Sequence, residues 1–348
     1  MMYKLAFVGF GTVGQGLAEI LLSKRELLSQ HYDFQCSVVA ITDIHKGSIY
    51  LKEGLDLERV LATVRETRRL DGYPGATVGW DSLKTIRDCG ADIVVEVTYT
   101  DIETGEPAIS HVRAALESGK HVVTSNKGPV ALAGRELVQL ADQKGGSFRY
   151  EGTVLSGTPA LNLALETLAG VEIKEVRGIL NGTTNYILSE MEKGKGYQET
   201  LKRAQDLGYA EAKPDADVEG WDALAKILII ANLLMGGNLK VSDVARTGIT
   251  GISLQDVETA RQNNERWKLI AHAWREAGQV RAKVSPERVP TKDFLAGVCG
   301  VTNALTFGTD LLGEVTIVGP GAGKLETGFS LLVDMLSIHR RDVSAGGA

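Results

Sequence analysis

The run WDALAKILIIANLLM, from Trp221 to Met235, is apolar on nearly every side. A helix of that kind offers no polar face to water and must lie inside a protein. It demands a core built around it, and a chain of 348 residues is long enough to supply one. Asp222 and Lys226 stand in its first turns at the i,i+4 spacing, on one face. That spacing alone describes an ordinary helical ion pair. Lysine, however, is almost never fully buried unless paired. The stretch ahead of the helix, Ala204 to Gly220, is polar and turn-like and carries Glu211, Asp215 and Asp217. Asp217 is placed to cap the helix, and Glu219 and Asp222 put negative charge near its positive end. Acids and a lysine on a buried helix make a polar pocket wall. Such a pocket suits a small zwitterion, with carboxylates for its ammonium and lysine for an oxygen.

The N-terminal third alternates strands and helices, which indicates an α/β fold. Lys4 to Gly9 is a short apolar strand, and Gly9, Phe10, Gly11, Thr12, Val13 and Gly14 then lead into a helix. This is GxGxxG between a strand and a helix, where glycines permit close backbone approach to a pyrophosphate at the helix start. A second strand, Ser37 to Thr42, ends at Asp43. An acid there can take the adenosine ribose hydroxyls and repel a 2′-phosphate. His45, Lys46 and Lys52 lie just beyond and can recruit that phosphate instead, so NAD and NADP both stay open. Asp92 to Thr98 reads as a buried strand with Glu96 inside it. Thr98 stands at its carboxyl edge, where open α/β sheets bind ligands. A helix over Pro107 to Ser118 leads to the strand HVVTSN, which ends in Asn126, Lys127, Gly128 and Pro129.

Further on, Glu172 to Leu180 reads as a strand that ends in NGTTN. The Thr183 hydroxyl and the N–H groups of the following helix suit a carboxylate or carbonyl. Lys240 to Ala277 reads as mixed loops and helices, with strands expected at Val280 to Pro290, within Phe294 to Phe307, and at Thr316 to Gly319. GPGAGK follows, but Leu325 stands where a Walker A loop needs Ser or Thr. Thr327 to Ile338 is the last helix. The net charge of −6 leaves no basic excess for nucleic acid. Cys36, Cys89 and Cys299 are far apart, supporting neither a disulfide framework nor zinc. The longest apolar run, Ala223 to Met235, is too short for a bilayer, and no secretory leader opens the chain. A cytoplasmic protein with no membrane partner is expected.

Ala204, Gly208, Pro214, Asp217, Gly220, Asp222 and Lys226 stand at the spacings of the homoserine dehydrogenase signature, which this chain resembles. Lys213 departs from it, since the family usually has Asp, Asn or Ser there. VVTSNKGPVA resembles the family segment with an active-site lysine, EGTVLSGTP its monovalent-cation loop, NGTTN its substrate-side motif, and VGPGAGKLETG its last motif. The resemblance covers essentially the whole chain. It implies a Rossmann-type dinucleotide-binding domain over 1–135, a second α/β domain over 136–317 with the substrate site and dimer contacts, and a return to the first domain over 318–348. It implies reduction of aspartate 4-semialdehyde to homoserine with NAD or NADP, by a homodimer. Lys226 and Lys127 would be catalytic, facing each other across a cleft. Glu211, Asp217, Asp222, Thr183 and Gly182 would bind substrate. Gly9, Gly11, Thr12, Val13, Gly14, Asp43, Thr98, Lys127, Gly208 and Gly321 would bind the cofactor. Glu151, Val154, Ser156 and Thr158 would surround a structural sodium ion. Some longer members carry a C-terminal regulatory domain. The stretch Ser344 to Ala348, read as a short tail, leaves no room for one, so strong cooperative inhibition by threonine is not expected. Two rivals remain on the residues alone. A non-catalytic NAD sensor would need the glycine loop but not the acids and lysine, and another amino-acid dehydrogenase could share the scaffold.

Overall fold

Leu5, Ala6, Phe7 and Val8 are completely buried, as expected for the middle strand of a sheet covered on both faces. The structure, a computed structural model, describes residues 2–346. It divides into two compact units. One takes the chain up to Gly157 and resumes at Gly323; the other runs from Thr158 to Ala322.

The first unit is built from β1 (Met2–Val8), α1 (Thr12–Ser23), α2 (Arg25–Tyr32), β2 (Gln35–Asp43), β3 (Gly47–Tyr50), α3 (Leu57–Thr67), β4 (Thr77–Val78), α4 (Ser82–Asp88), β5 (Ile93–Glu96), α5 (Ala108–Glu117), β6 (His121–Thr124), α6 (Lys127–Lys144) and β7 (Phe148–Arg149). Its strands lie in the order β4-β3-β2-β1-β5-β6-β7. β1 pairs in parallel with β2 on one side and β5 on the other. The strand order therefore reverses at β1, and the crevice beyond the carboxyl ends of β1 and β5 is the switch point where such sheets bind ligands.

The second unit holds α7 (Ala160–Asn162), β8 (Ile173–Ile179), α8 (Gly182–Met191), α9 (Tyr197–Asp206), α10 (Asp215–Val218), α11 (Trp221–Leu233), β9 (Ala245–Arg246), α12 (Leu254–Gln262), β10 (Glu265–Glu276), β11 (Gln279–Pro290), β12 (Thr302–Thr309) and β13 (Gly313–Pro320). Its sheet order is β13-β12-β8-β10-β11-β9. The pairings are antiparallel except that of β9 with β11. α11 is the apolar helix of the sequence, and Ala223 through Ala231 are all buried. The chain then returns to the first unit as α13 (Lys324–Gly346), whose Leu331, Met335 and Ile338 join Leu17 and Leu21 of α1 in one core.

Four expectations need correction. The first unit extends to Gly157, past the expected boundary at 135, because α6 continues through that point and β7 adds to the sheet beside β6. Glu265–Glu276, read as loop and helix, is a twelve-residue strand. The last helix does not stop at Ile338 but continues to Gly346; the tail expected from Ser344 is helical as far as that residue, and residues 347–348 lie outside the described ones. Asp217 does not cap α11. It lies within α10, and Gly220, at φ 81°, occupies the cap position. Among the described residues no helix is long and apolar enough to cross a membrane.

Candidate active site

In the first unit the glycine loop joins β1 to α1. Gly9 has φ 95°, and a methyl group added to it would lie 2.5 Å from the Val97 carbonyl oxygen. Only glycine lets the loop pass so close to the end of β5. Gly11 is the N-cap of α1, with no side-chain cap, no acid in the first turn and open space where a Cβ would stand. The first N–H groups of α1, at Thr12 and Val13, have no intrahelical partner by the nature of a helix start, and with Gly14 buried behind them they form an anion cradle. This loop fits a dinucleotide pyrophosphate.

Asp43 ends β2 beside that loop. Its Oδ2 accepts from the Phe10 N–H at 2.8 Å, and its Oδ1 from the N–H groups of His45 at 2.9 Å and Lys46 at 3.0 Å. Burial pushes this carboxyl up, but the three N–H donors and the Lys46 ammonium outweigh that and hold it below the usual range. Lys46 is itself tied to Asp43, 3.5 Å away. The acid thus fastens the glycine loop. An Asp43→Ala protein is expected to bind NADH and NADPH about tenfold more weakly, the scale of one charge-assisted contact, with titration calorimetry as the measurement. Loss confined to NADH would make the ribose its main partner instead.

On the other side of β1, Thr98 follows β5 and Lys127 opens α6. Asn126 caps α6 by accepting from the Gly128 N–H at 3.1 Å. Its side-chain amide donates to Tyr99 O at 2.9 Å and Thr98 O at 3.3 Å, which ties the start of α6 to the end of β5. Glu151 and Val154 are buried in this unit, and the Ser156 hydroxyl lies 2.6 Å from that of Thr327. Thr158 belongs to the second unit, where its hydroxyl donates to Pro320 O at 3.0 Å.

In the second unit, α8, α10 and α11 bring Asn181, Asp217, Asp222 and Lys226 together. Lys226, 5% exposed, donates to Leu180 O at 2.6 Å and to Asp222 Oδ2 at 2.7 Å. The Asn181 amide donates to that same Asp222 oxygen at 3.0 Å and to Asp217 Oδ1 at 2.7 Å. Its own carbonyl accepts from the Thr184 N–H at 2.9 Å and caps α8. One asparagine therefore holds the two acids together and sets Gly182 and Thr183 at the same helix start. Thr183 donates to Tyr209 O at 2.6 Å. Burial, and then the like charge of Asp222, push the Asp217 carboxyl above the usual range. Two acids against one lysine leave an excess of negative charge that a ligand ammonium would relieve.

Not every expected residue joins this cluster. Glu211 is exposed, and the Asn181 amide that bridges Asp217 and Asp222 makes no bond to it. Gly208, at φ 75°, follows the end of α9, which accounts for a glycine there without a ligand. Gly321 and Gly182 both lie against Asn303; a methyl group added to Gly321 would fall 2.3 Å from its amide carbon. Asn303 is completely buried, and among the described residues neither its amide nitrogen nor its amide oxygen has a hydrogen-bond partner. Sequence reasoning missed Asn303 and the bridging role of Asn181. NGTTN flagged the latter's position but not its distant partners.

A glycine loop at a sheet switch point, with a buried lysine beside two acids in the second unit, fits the class of NAD(P)-dependent dehydrogenases. Sequence models described as homoserine dehydrogenase and as its NAD-binding domain match residues 159–336 and 9–151. The NAD(+)-dependent homoserine dehydrogenase of Pseudomonas canavaninivorans is 46% identical over 339 residues, covering 97% of this chain and 96% of that protein. The homoserine dehydrogenase of Methanocaldococcus jannaschii is 42% identical, over 96% of this chain and 98% of its own length. A crystal structure of a putative homoserine dehydrogenase from Archaeoglobus fulgidus superposes with TM-score 0.88 at 41% identity, covering 97% of this chain and 99% of the other. A hyperthermophilic archaeal homoserine dehydrogenase in complex with NADPH gives 0.84 at 29% identity, covering 98% of each chain. The chain belongs to the homoserine dehydrogenase family of NAD(P)-dependent oxidoreductases.

Proposed function

We propose that the chain interconverts L-aspartate 4-semialdehyde and L-homoserine with the residue roles that follow, within threonine, methionine and isoleucine biosynthesis. The observation that carries the roles is the Asn181-bridged pair of acids facing one buried lysine. Asp217 takes the substrate ammonium, because it is the acid not paired with Lys226. Asp222 holds Lys226. The N–H groups at the start of α8 take the substrate carboxylate, joined by the Thr183 hydroxyl when its proton turns away from Tyr209 O, and the Asn303 amide NH2 adds a donor. Gly9 through Gly14 hold the dinucleotide, which when bound supplies or accepts a hydride. Lys226 gives a proton to the oxygen that becomes the homoserine hydroxyl and takes it back in the reverse direction. Lys127 orients the carbonyl.

The reading includes a cytoplasmic homodimer, and a structural sodium ion near Glu151, Val154, Ser156 and Thr158. Buried Glu151 and the oxygen-rich composition of that loop support the ion. The test is a spectrophotometric assay of aspartate semialdehyde with NADH and with NADPH. Turnover with either cofactor is expected. Cofactor binding without turnover would point to a sensor, and turnover only with a different amino-acid aldehyde or alcohol would point to a different dehydrogenase.

A further inference from the structure

Glu96 is completely buried at the carboxyl end of β5, and the chemistry above does not use it. A buried carboxyl is costly unless its oxygens are satisfied. Oε1 accepts from the Thr98 N–H at 3.2 Å and from the Thr98 hydroxyl. Oε2 lies 3.3 Å from the Thr124 hydroxyl, which also donates to the Glu96 backbone oxygen at 2.8 Å. His111 Nδ1 stands 3.6 Å from Oε1, beyond hydrogen-bond reach. Glu96 thus sits beneath the switch-point crevice and grips Thr98 through both its backbone and its side chain.

That grip fixes a direction. A threonine hydroxyl has one proton and two lone pairs. The hydroxyl donates to Oε1, the same oxygen that accepts the Thr98 N–H, so its one proton is spent inward. Asn126 Nδ2, 3.4 Å from the Thr98 hydroxyl oxygen, takes at most one lone pair. What Thr98, half-buried, can show to the crevice is the remaining lone pair. The geometry points to Glu96 as a positioning residue that turns Thr98 into a pure acceptor for the carboxamide NH2 of nicotinamide. The strand order agrees. Asp43 lies on the β2 side of β1 and Thr98 on the β5 side, so a dinucleotide whose pyrophosphate rests on the loop between them directs its nicotinamide toward Thr98.

This inference rests on the proposed cofactor reading, and its test separates the two. The affinities of NADH and of reduced 3-acetylpyridine adenine dinucleotide are measured by titration calorimetry. The analogue keeps the carbonyl but has a methyl group in place of the NH2. The wild-type protein is expected to favour NADH by about three- to tenfold, the worth of one neutral hydrogen bond. Thr98→Val, on a partly exposed side chain, is expected to bring the ratio to about one. Glu96→Leu frees the hydroxyl and is expected to bring it down likewise. Glu96→Gln can place its carbonyl where Oε1 stands and is expected to keep the wild-type ratio. An unchanged ratio in Thr98→Val overturns the inference even if Glu96→Leu does not fold, and so does an unchanged ratio in a folded Glu96→Leu. A wild-type protein that binds neither NADH nor NADPH overturns the cofactor reading itself.

Discussion

Lys226→Ala is expected to lower kcat by at least about 10²-fold, the usual worth of a positioned proton donor, while NAD(P)H affinity stays near wild type. The separation follows from the fold, since Lys226 is in the second unit and the glycine loop in the first. The ammonium is directed by Leu180 O and Asp222 Oδ2, two anchors on different elements, so its donor position is well defined. Truncation also leaves Asp222 beside Asp217 with that cation gone. Removing one partner of a buried pair costs roughly 3–5 kcal/mol, so the variant will melt earlier, and circular dichroism with NADH titration must show it folded before kcat is read. A small primary amine added to the assay is expected to restore part of the turnover, because it replaces the donor and the cation together. Near-normal kcat in Lys226→Ala, with Lys127→Ala inactive, would hand the proton to Lys127.

Local patterns were the legible ones. The strand, glycine loop and helix over residues 4–23 are contiguous, and a short apolar run followed by glycines and an apolar helical run declares them without reference to the rest. α11 was legible for the same reason, because apolar residues on every side admit only burial. β10 was not. Lys268 sits in its middle and breaks the apolar run, yet is completely buried. Its ammonium donates to Val298 O at 2.7 Å and Asn185 Oδ1 at 3.2 Å, from elements far along the chain, and burial pushes its pKa down. Asp217 failed in the same way. As a local feature it looks like a cap, but its partner Asn181 stands at the end of a different strand. Charged residues inside a fold are explained by partners that sequence spacing does not show.

Asp217→Asn is expected to reduce kcat/KM for homoserine by roughly 10- to 150-fold, the equivalent of losing a charge-assisted contact worth about 1.5–3 kcal/mol, with cofactor affinity unchanged. The same change should not destabilise the ligand-free protein at neutral pH. Burial and the neighbouring Asp222 raise the Asp217 pKa in the folded state. A carboxyl with a raised folded pKa stabilises the fold below its unfolded pKa, about 3.9, and loses that contribution as pH rises through the folded value. At neutral pH the wild-type chain therefore carries a strained charge that asparagine lacks. Asp217→Asn should melt at the same temperature as wild type or higher near pH 7, with the advantage shrinking as pH falls toward about 4. Asparagine can still accept from the Asn181 amide through its own carbonyl, so the bridge survives. Lower activity with equal or greater stability is the signature of an acid kept for its ligand rather than for the fold. Glu211→Gln, on an exposed side chain, is expected to cost less than Asp217→Asn. If Asp217→Asn lost stability and NADH affinity together while substrate use held, Asp217 would be a structural acid, and the ammonium would have to be held elsewhere.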